Sequence, residues 1–409
     1  MNFKILCLVL IALTSAYSLI LMYVEKKSFL NPTPENVKDV YDAETYGKWR
    51  AYSAEKHRLD LIRGLAGFAV TFLFIAFDVY KWPAGLFMGV FAAALAVTIF
   101  DVLTDTLYGL PFSYADDMKI EQKYGFNRTT GKTFAADAVK QMIISLIMSC
   151  GLTAILTGLH LWLGKWMALA FAAALCLLVL CISFLFPFFS KIFNKFTPLE
   201  DGELKEKLTK LLSSHGYQVR AIQVMDASRR SSKSNAYFTG FGRTKTIVLY
   251  DTLISAFEPD EICAVFAHEM GHGLHKDTLK NQVLNFVNMA LIACAAYLVV
   301  SFPEIYADFG FEGVNYGFAM ILVGSALLPL ISPLMGIITG ASSRRAEYRA
   351  DAQAVDEGYG EALVSALKKL GRENFSHLAP AKIIVKLQYS HPPLSERIDA
   401  IEKRMNEKR

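Results

Sequence analysis

The stretch that decides the reading is Val265-Phe266-Ala267-His268-Glu269-Met270-Gly271-His272-Gly273-Leu274-His275. His268 and His272 are four residues apart, so on a helix they lie one above the other, with Glu269 beside the first. This is the H-E-x-x-H pattern. Two imidazoles one turn apart can bind a tetrahedral zinc and leave positions for a third protein ligand and for a water that the glutamate deprotonates. The implied chemistry is hydrolysis of an amide bond, with His268 and His272 as metal ligands and Glu269 as the catalytic base. The flanks agree. Val265, Phe266, Ala267, Met270 and Leu274 make a packed helix, Glu258-Pro259-Asp260-Glu261 is an acidic, proline-bearing helix start, and Ala264, Gly271 and Gly273 leave room around a metal. The competing reading is an amphipathic helix with two buried histidines.

With 53 % apolar residues among 409 and a mean hydropathy of +0.32, the chain is too hydrophobic for an ordinary soluble enzyme. It is long enough for a membrane part plus a catalytic domain. The net charge of +4 is small for this length and gives no reason to invoke nucleic acid. None of the six cysteines pairs with another at metal-ligand spacing, and all six are expected to be free buried thiols.

Residues 3 to 24 form an apolar run ended by Glu25-Lys26-Lys27. It reads as a retained membrane helix rather than a cleaved signal peptide, because it continues past the small residues Ser15-Ala16. Further spans read at about 64 to 80, 83 to 104, 142 to 163, 165 to 187, 283 to 302 and 317 to 340, giving seven. Lys and Arg number seven over 25 to 59 and four over 109 to 136, but one each in the 81-82 and 164-165 turns and none over 303 to 316. That alternation predicts an external amino terminus and a catalytic domain facing the cytoplasm. The expected fold is mainly α, a multi-pass membrane protein whose zinc-metalloprotease domain carries a small β-sheet. Residues 1–187 hold spans one to five, 188–280 the catalytic segment, 281–340 spans six and seven, and 341–409 the rest of the catalytic domain.

In the catalytic segment, Thr197-Pro198-Leu199-Glu200 resembles a capping box leading a leucine-striped helix to about Ser214. Gln218 to Met225 and Lys245 to Tyr250 read as strands, with Asn235-Ala236-Tyr237-Phe238 between them and Gly240 and Gly242 at the turn back. A small sheet beside a zinc helix can bind an extended peptide by pairing its edge strand with the substrate backbone. A plain hairpin strand explains Asn235 to Phe238 equally well. Asn281, Asn285 and Asn288 share a face at the head of the sixth span, which begins so soon after His272 that the metal must sit close to the bilayer surface. The asparagine stripe, Asp78 and the Asp101/Asp105 pair fit either interhelical hydrogen bonding or a wet intramembrane cavity.

The extended H-E-x-x-H-x-x-G-x-x-H pattern needs Gly at 275 and His at 278, where this chain has His275 and Thr278. His275 and Asp277 are expected to point away from the two-histidine face. The stronger third ligand is Glu347, in the charged helix Ser343-Arg344-Arg345-Ala346-Glu347-Tyr348-Arg349-Ala350-Asp351. Asp351, one turn on, can accept a hydrogen bond from a ligand histidine. His391, held before Pro392-Pro393, can stabilise an oxyanion if it lies near the metal, and is otherwise a surface loop histidine.

Together, His268-Glu269-x-x-His272, Glu347-x-x-x-Asp351, Asn235-Ala236-Tyr237 and His391-Pro392-Pro393 on seven spans resemble the type I CAAX prenyl endopeptidase family, as do Tyr124-Gly125-Phe126-Asn127, Phe134 and Asp137. HtpX-like membrane proteases share the zinc motifs with fewer spans. The resemblance implies a ring of seven helices around a water-filled chamber capped by the zinc domain. It also implies substrate-backbone binding by Asn235 and Ala236 with Tyr237 beside them, contact of His391 with substrate or transition state, and a supporting role for Arg397. One Zn2+ per chain is expected, acting on a peptide or protein substrate, possibly isoprenylated, at a lipid bilayer. In eukaryotic members the substrate is a prenylated carboxy-terminal peptide that loses its last three residues. The compact chain suggests a prokaryotic member in the inner membrane, where unlipidated membrane peptides are the substrates; a eukaryotic member would lie in the endoplasmic reticulum. Two rivals remain at this stage: a quality-control protease of unlipidated membrane proteins, and a transporter in which zinc only ties the domain to the helices.

Overall fold

The structure is a computed structural model that describes residues 2–239 and 244–409. Long apolar runs of 18 or more residues must form helices in a bilayer, because each backbone amide then finds its partner within its own segment. Helices α1 (Phe3–Ser28), α2 (Ala43–Ala76), α3 (Val90–Ala115), α4 (Gly131–Leu163) and α5 (Met167–Phe193) make up the first part. Six stretches are long and apolar enough to cross a membrane, and one of them, Gly131–Leu185, contains both α4 and α5. These two are separated by a tight turn at Gly164–Trp166, where Gly164 takes φ +52°. With those two taken separately, the described residues hold about seven apolar helices.

Most of the helices run past their expected span limits, α4 starting at Gly131 rather than 142 and the last ending at Asp356 rather than 340, and two starts have a visible cause. The chain over Lys81–Gly85 is a separate short helix, and α3 starts only at Val90, after Gly89 at φ +94°. Apolar residues alone suggested a start at 83; the glycine sets the true one. In the other case α2 begins at Ala43, far ahead of 64, on a polar stretch capped by Asp42. α1 packs along α2, with Ile11 and Leu21 buried. A polar cavity of about 440 Å³ lies among these helices, lined by Tyr80, Thr98, Asp101, Asp105, Thr153 and Ser325. Its walls do not include the Asn281, Asn285 and Asn288 stripe, of which Asn281 and Asn285 are exposed. The six cysteines are free, but Cys181 and Cys294 are exposed on helix faces rather than buried.

The soluble part starts with strand β1 (Phe196–Pro198), then helix α6 (Glu203–Ser214), and strands β2 (Gln218–Met225), β3 (Ala236–Thr239) and β4 (Thr244–Tyr250). The capping-box reading at Thr197 fails: Thr197 and Pro198 pair with Val224 and Gln223, and the helix begins later, after Gly202. The sheet order is β1-β2-β4-β3, with β2 and β4 parallel and the outer pairs antiparallel. β3 is therefore an edge strand. The turn assigned to Gly240 and Gly242 lies outside the described residues.

Helix α7 (Pro259–Leu274) starts at the capping box of Glu258 and Glu261 with Pro259 in its first turn. It packs beneath the sheet, sharing one core with Ala236, Ile247 and Leu249. Helix α8 (Asp277–Val300) follows after Lys276 at φ +56°, so the next apolar helix starts within five residues of His272. Helix α9 (Tyr316–Leu322) passes through a π-helical turn at Val323–Leu327 into α10 (Leu328–Asp356), which leaves the apolar core and crosses α7. Helices α11 (Gly360–Glu373), α12 (Lys382–Gln388) and α13 (Leu394–Lys408) complete the domain.

The α7–α10 crossing is close because of one missing atom. A Cβ on Gly271 would stand 2.8 Å from Ala350 Cα and 3.1 Å from Gln353 Cβ. We predict that Gly271→Ala forces the helices apart and lowers stability by about 1–3 kcal/mol, the usual cost of overpacking, read as a fall in Tm of the purified protein; an unchanged Tm would mean that the crossing is not tight.

Candidate active site

Residues 268 and 272 face α10 because α7 buries Phe266, Ala267 and Met270 toward the sheet and the domain core. The imidazole rings are 4.9 Å apart, centroid to centroid, and nearly perpendicular. Across the crossing, His268 Nε2 lies 3.5 Å from Glu347 Oε2 and His272 Nε2 lies 3.2 Å from Glu347 Oε1. The three donor atoms all lie within 4.8 Å of one another.

The back of each ring is held by a carboxylate. His268 Nδ1 donates to Asp351 Oδ1 at 2.8 Å, and His272 Nδ1 to Asp277 Oδ2 at 3.3 Å. A carboxylate accepts only, so each Nδ1 carries the hydrogen and each Nε2 presents a lone pair toward Glu347. Arg397 grips Asp351 with two bonds, Nε to Oδ2 at 2.9 Å and Nη2 to Oδ1 at 2.6 Å, and its Nη1 lies 3.4 Å from Glu347 Oε2. Arg349 Nη2 donates to Asp277 Oδ1 at 2.6 Å. Glu347 Oε2 is buried with no hydrogen-bond partner among the described residues, an arrangement costly in a closed polar network. Two free imidazole lone pairs facing an orphaned carboxylate oxygen fit a divalent metal with N, N, O ligands.

These contacts also set protonation. Burial works against a charge on His272, but the carboxylates of Glu347, Glu269 and Asp277 overcome it and raise its pKa. Arg397, largely buried, is likewise driven further toward its charged form by Asp351 and Glu347 despite desolvation.

Glu269 is half-buried on the same face as the histidines, near enough to His272 and Arg397 to act on both electrostatically. His391 is exposed, yet its Nε2 lies 3.4 Å from Glu347 Oε1, and Ser390 Oγ bonds its Nδ1 at 2.9 Å. The chain thus brings His391 to the cluster and not to an unrelated surface. Asn235 is exposed, Ala236 buried and Tyr237 half-buried at the edge of the sheet. The Asn235 carbonyl accepts from Tyr250 N–H at 3.1 Å, so by antiparallel alternation the next residue, Ala236, turns its backbone groups to the open edge. There the Ala236 N–H is held by Asn235 Oδ1 at 2.8 Å.

Asp277 is the residue that sequence reasoning misplaced. A helix continued through 277 would carry it away from the histidines, whereas the left-handed Lys276 ends α7 and folds Asp277 back under His272. The signal was the acidic first turn of the next membrane helix, which marks a break just before it. We predict that Asp351→Asn and Asp277→Asn each weaken metal affinity about 10- to 100-fold, as lost outer-sphere partners do, measured by competition with a chromophoric chelator; affinity unchanged in both variants would show that these carboxylates do not orient the histidines.

Comparison with known proteins agrees along the whole chain. Residues 198–405 match peptidase family M48, and residues 8–195 match the CAAX prenyl protease N-terminal family, described as five membrane helices. A CAAX prenyl protease 1 homolog of Arabidopsis thaliana is 32 % identical, with 90 % of each chain covered. CAAX prenyl protease 1 of Saccharomyces cerevisiae is also 32 % identical, covering 90 % of this chain and 88 % of its own. The crystal structure of S. mikatae Ste24p superposes with a TM-score of 0.91 at 27 % identity, covering 98 % of this chain and 99 % of that one. The chain with this paired-histidine, buried-glutamate cluster is a multi-pass membrane metallopeptidase and belongs to the type I CAAX prenyl endopeptidases of peptidase family M48.

Proposed function

We propose that the protein is a zinc endopeptidase that cuts near the carboxyl terminus of isoprenylated CAAX peptides, with its catalytic domain in the cytoplasm. The observation that carries the reading is the convergence of His268 Nε2, His272 Nε2 and the orphaned Glu347 carboxylate. His268, His272 and Glu347 would hold the zinc, which when bound supplies Lewis-acid polarisation of the scissile carbonyl. A structural zinc site is normally closed by four Cys or His ligands, and here a glutamate stands beside an open position, which supports catalysis over a merely structural metal.

The chain's own groups then divide the work. Glu269 takes a proton from the attacking water as its oxygen bonds the carbonyl carbon, and gives that proton to the leaving nitrogen as the C–N bond breaks. His391 donates its Nε2–H to the oxygen that gains charge. Asp351 keeps His268 in the tautomer whose Nε2 faces the metal position, and Arg397 fixes Asp351 in turn. The open edge at Ala236 pairs with an extended substrate backbone, Asn235 and Tyr237 flanking it. Relatives named CAAX prenyl protease 1, aligned over about nine-tenths of this chain, support the substrate class. The bilayer is the second partner: the apolar helix α8 starts five residues after His272, which supports a site that a lipid-anchored carboxyl terminus reaches from the membrane surface.

The test is cleavage of a farnesylated CAAX peptide and its unprenylated twin by purified protein in detergent. The expected result is cleavage of the lipidated peptide, lost on chelation, and lowered at least about 10³-fold by Glu269→Ala, while Glu269→Ala still binds zinc. Normal cleavage by Glu269→Ala would refute the mechanism. Equal cleavage of both peptides would remove lipid recognition and leave quality-control proteolysis as the function.

A further inference from the structure

We propose that Arg344 is the positioning residue that holds His391 over the scissile bond, an inference that rests on the zinc-peptidase reading and deepens it. Arg344 lies on α10 just under one turn before Glu347. Its Nη1 donates to two backbone carbonyls, Val385 at 3.0 Å and Tyr389 at 2.6 Å. Val385 belongs to α12, and Tyr389 opens the segment Tyr389-Ser390-His391-Pro392-Pro393. One guanidinium therefore grips the chain at the point where it leaves α12 for the catalytic histidine.

A second observation says that this grip is built into α10. Gly340, one turn before Arg344, has no side chain where one would collide: a Cβ there would lie 2.9 Å from Arg344 Nη1 and 3.1 Å from Tyr389 O. The space that a side chain would fill is taken by the guanidinium and the carbonyl. Beyond His391, the same helix face holds the segment again, through Tyr348 Oη donating to Glu396 Oε2 at 3.0 Å and Asp351 accepting from Arg397. His391 thus hangs between two anchors on α10, Arg344 before it and the Tyr348 and Asp351 pair after it.

His391 needs such anchors. Its ring is exposed, its one hydrogen bond among the described residues is to the adjoining Ser390, and the buried Glu347, 3.4 Å from its Nε2, makes no hydrogen bond to it that would fix its aim. Its direction is set by the backbone, which Pro392 restricts at His391 itself, two residues after the carbonyl that Arg344 holds. Without Arg344, two carbonyls lose a charged donor and the segment is free to shift. A misplacement of about 1 Å at a catalytic group can cost as much as about 100-fold in rate without touching ground-state binding.

The test uses full-length, zinc-loaded protein in detergent with the farnesylated CAAX peptide. Arg344→Gln is expected to lower kcat about 10- to 100-fold while KM stays within about 2-fold and zinc content is unchanged. Arg344→Lys keeps a cation that can reach one carbonyl, and is expected to recover at least about 3-fold of the loss. In a His391→Ala background the same Arg344→Gln change is expected to cost less than about 2-fold, because the residue it positions is gone. Gly340→Ala supplies a second route: its Cβ wedges between the guanidinium and the carbonyl with every other side chain retained, and the same split is expected. The inference is overturned if Arg344→Gln leaves kcat within about 2-fold, loses zinc, or costs as much with His391 absent as with it present; if it does not fold, Gly340→Ala decides by the same three criteria. Glu269→Ala separates the two levels. If that variant still cleaves, the zinc-peptidase reading has failed; if it is inactive while Arg344→Gln behaves as wild type, only the role of Arg344 has.

Discussion

The structure depends on the contact between Gly271 and Ala350, where α7 meets α10 backbone to backbone. Two helices normally cross at 8–10 Å with side chains between them. A glycine at the crossing lets residues one turn to either side reach across, and those residues are His268 and Glu347. Neither helix can present a metal site alone, because a single face offers two ligands per turn at most. The third ligand must come from another element, and the crossing fixes its height and angle. Since α10 begins inside the apolar bundle and α8 re-enters it directly after α7, that height is also fixed relative to the membrane. The site is held by the ends of membrane helices, which gives it the rigidity that positioned catalysis requires.

Charge balance explains why the cluster tolerates its burial. Glu347, Asp351 and Asp277 are 4 %, 1 % and 3 % exposed, and carboxylates are seldom so buried unless paired. Arg397, Arg349 and Lys280 supply three positive charges against these three carboxylates and the adjoining Glu269. With both histidines neutral, one negative charge is left over, and it sits on Glu347, whose Oε2 has no hydrogen-bond partner among the described residues. A dication at the Nε2 atoms removes that imbalance and brings the site to a net positive charge that favours a polarised carbonyl oxygen. The arginines are therefore more than structural ties. They neutralise the two carboxylates that orient the histidines and leave the third, Glu347, unbalanced.

What was legible in the sequence follows from periodicity. His268 with His272 and Glu347 with Asp351 are each four apart, so each pair could be placed on one helical face without any structure. Apolar length was enough to find the membrane helices, and strand β2 coincides with the alternating run from Gln218 to Met225. What escaped was set by single backbone torsions. Gly89 delays α3, and Lys276 in the left-handed region turns Asp277 under His272, where helical continuity would have sent it outward. Strand β1 escaped for another reason: Thr197-Pro198 has the chemistry of a helix cap, and its pairing with Val224 and Gln223 is a long-range contact that local pattern does not encode. His391 is of the same kind, since nothing within its own segment says that it lies 3.4 Å from Glu347.

One face of α10 ties these facts together. Gly340, Arg344, the adjacent pair Glu347 and Tyr348, and Asp351 follow one another at three or four residues, and each meets the chain between Val385 and Arg397 or the histidines of α7. The helix acts as a ruler along which the backbone carbonyl of Tyr389, the imidazole of His391 and the guanidinium of Arg397 are set at successive turns. A ruler of this kind is sensitive to register, because a slip of one residue turns every contact by about 100°. The π-helical turn at Val323–Leu327 lies upstream, within the apolar part of the helix, so the face from Gly340 to Asp351 runs on without another break of that kind. The small-residue crossing at Gly271 then locks this face against the zinc-motif helix.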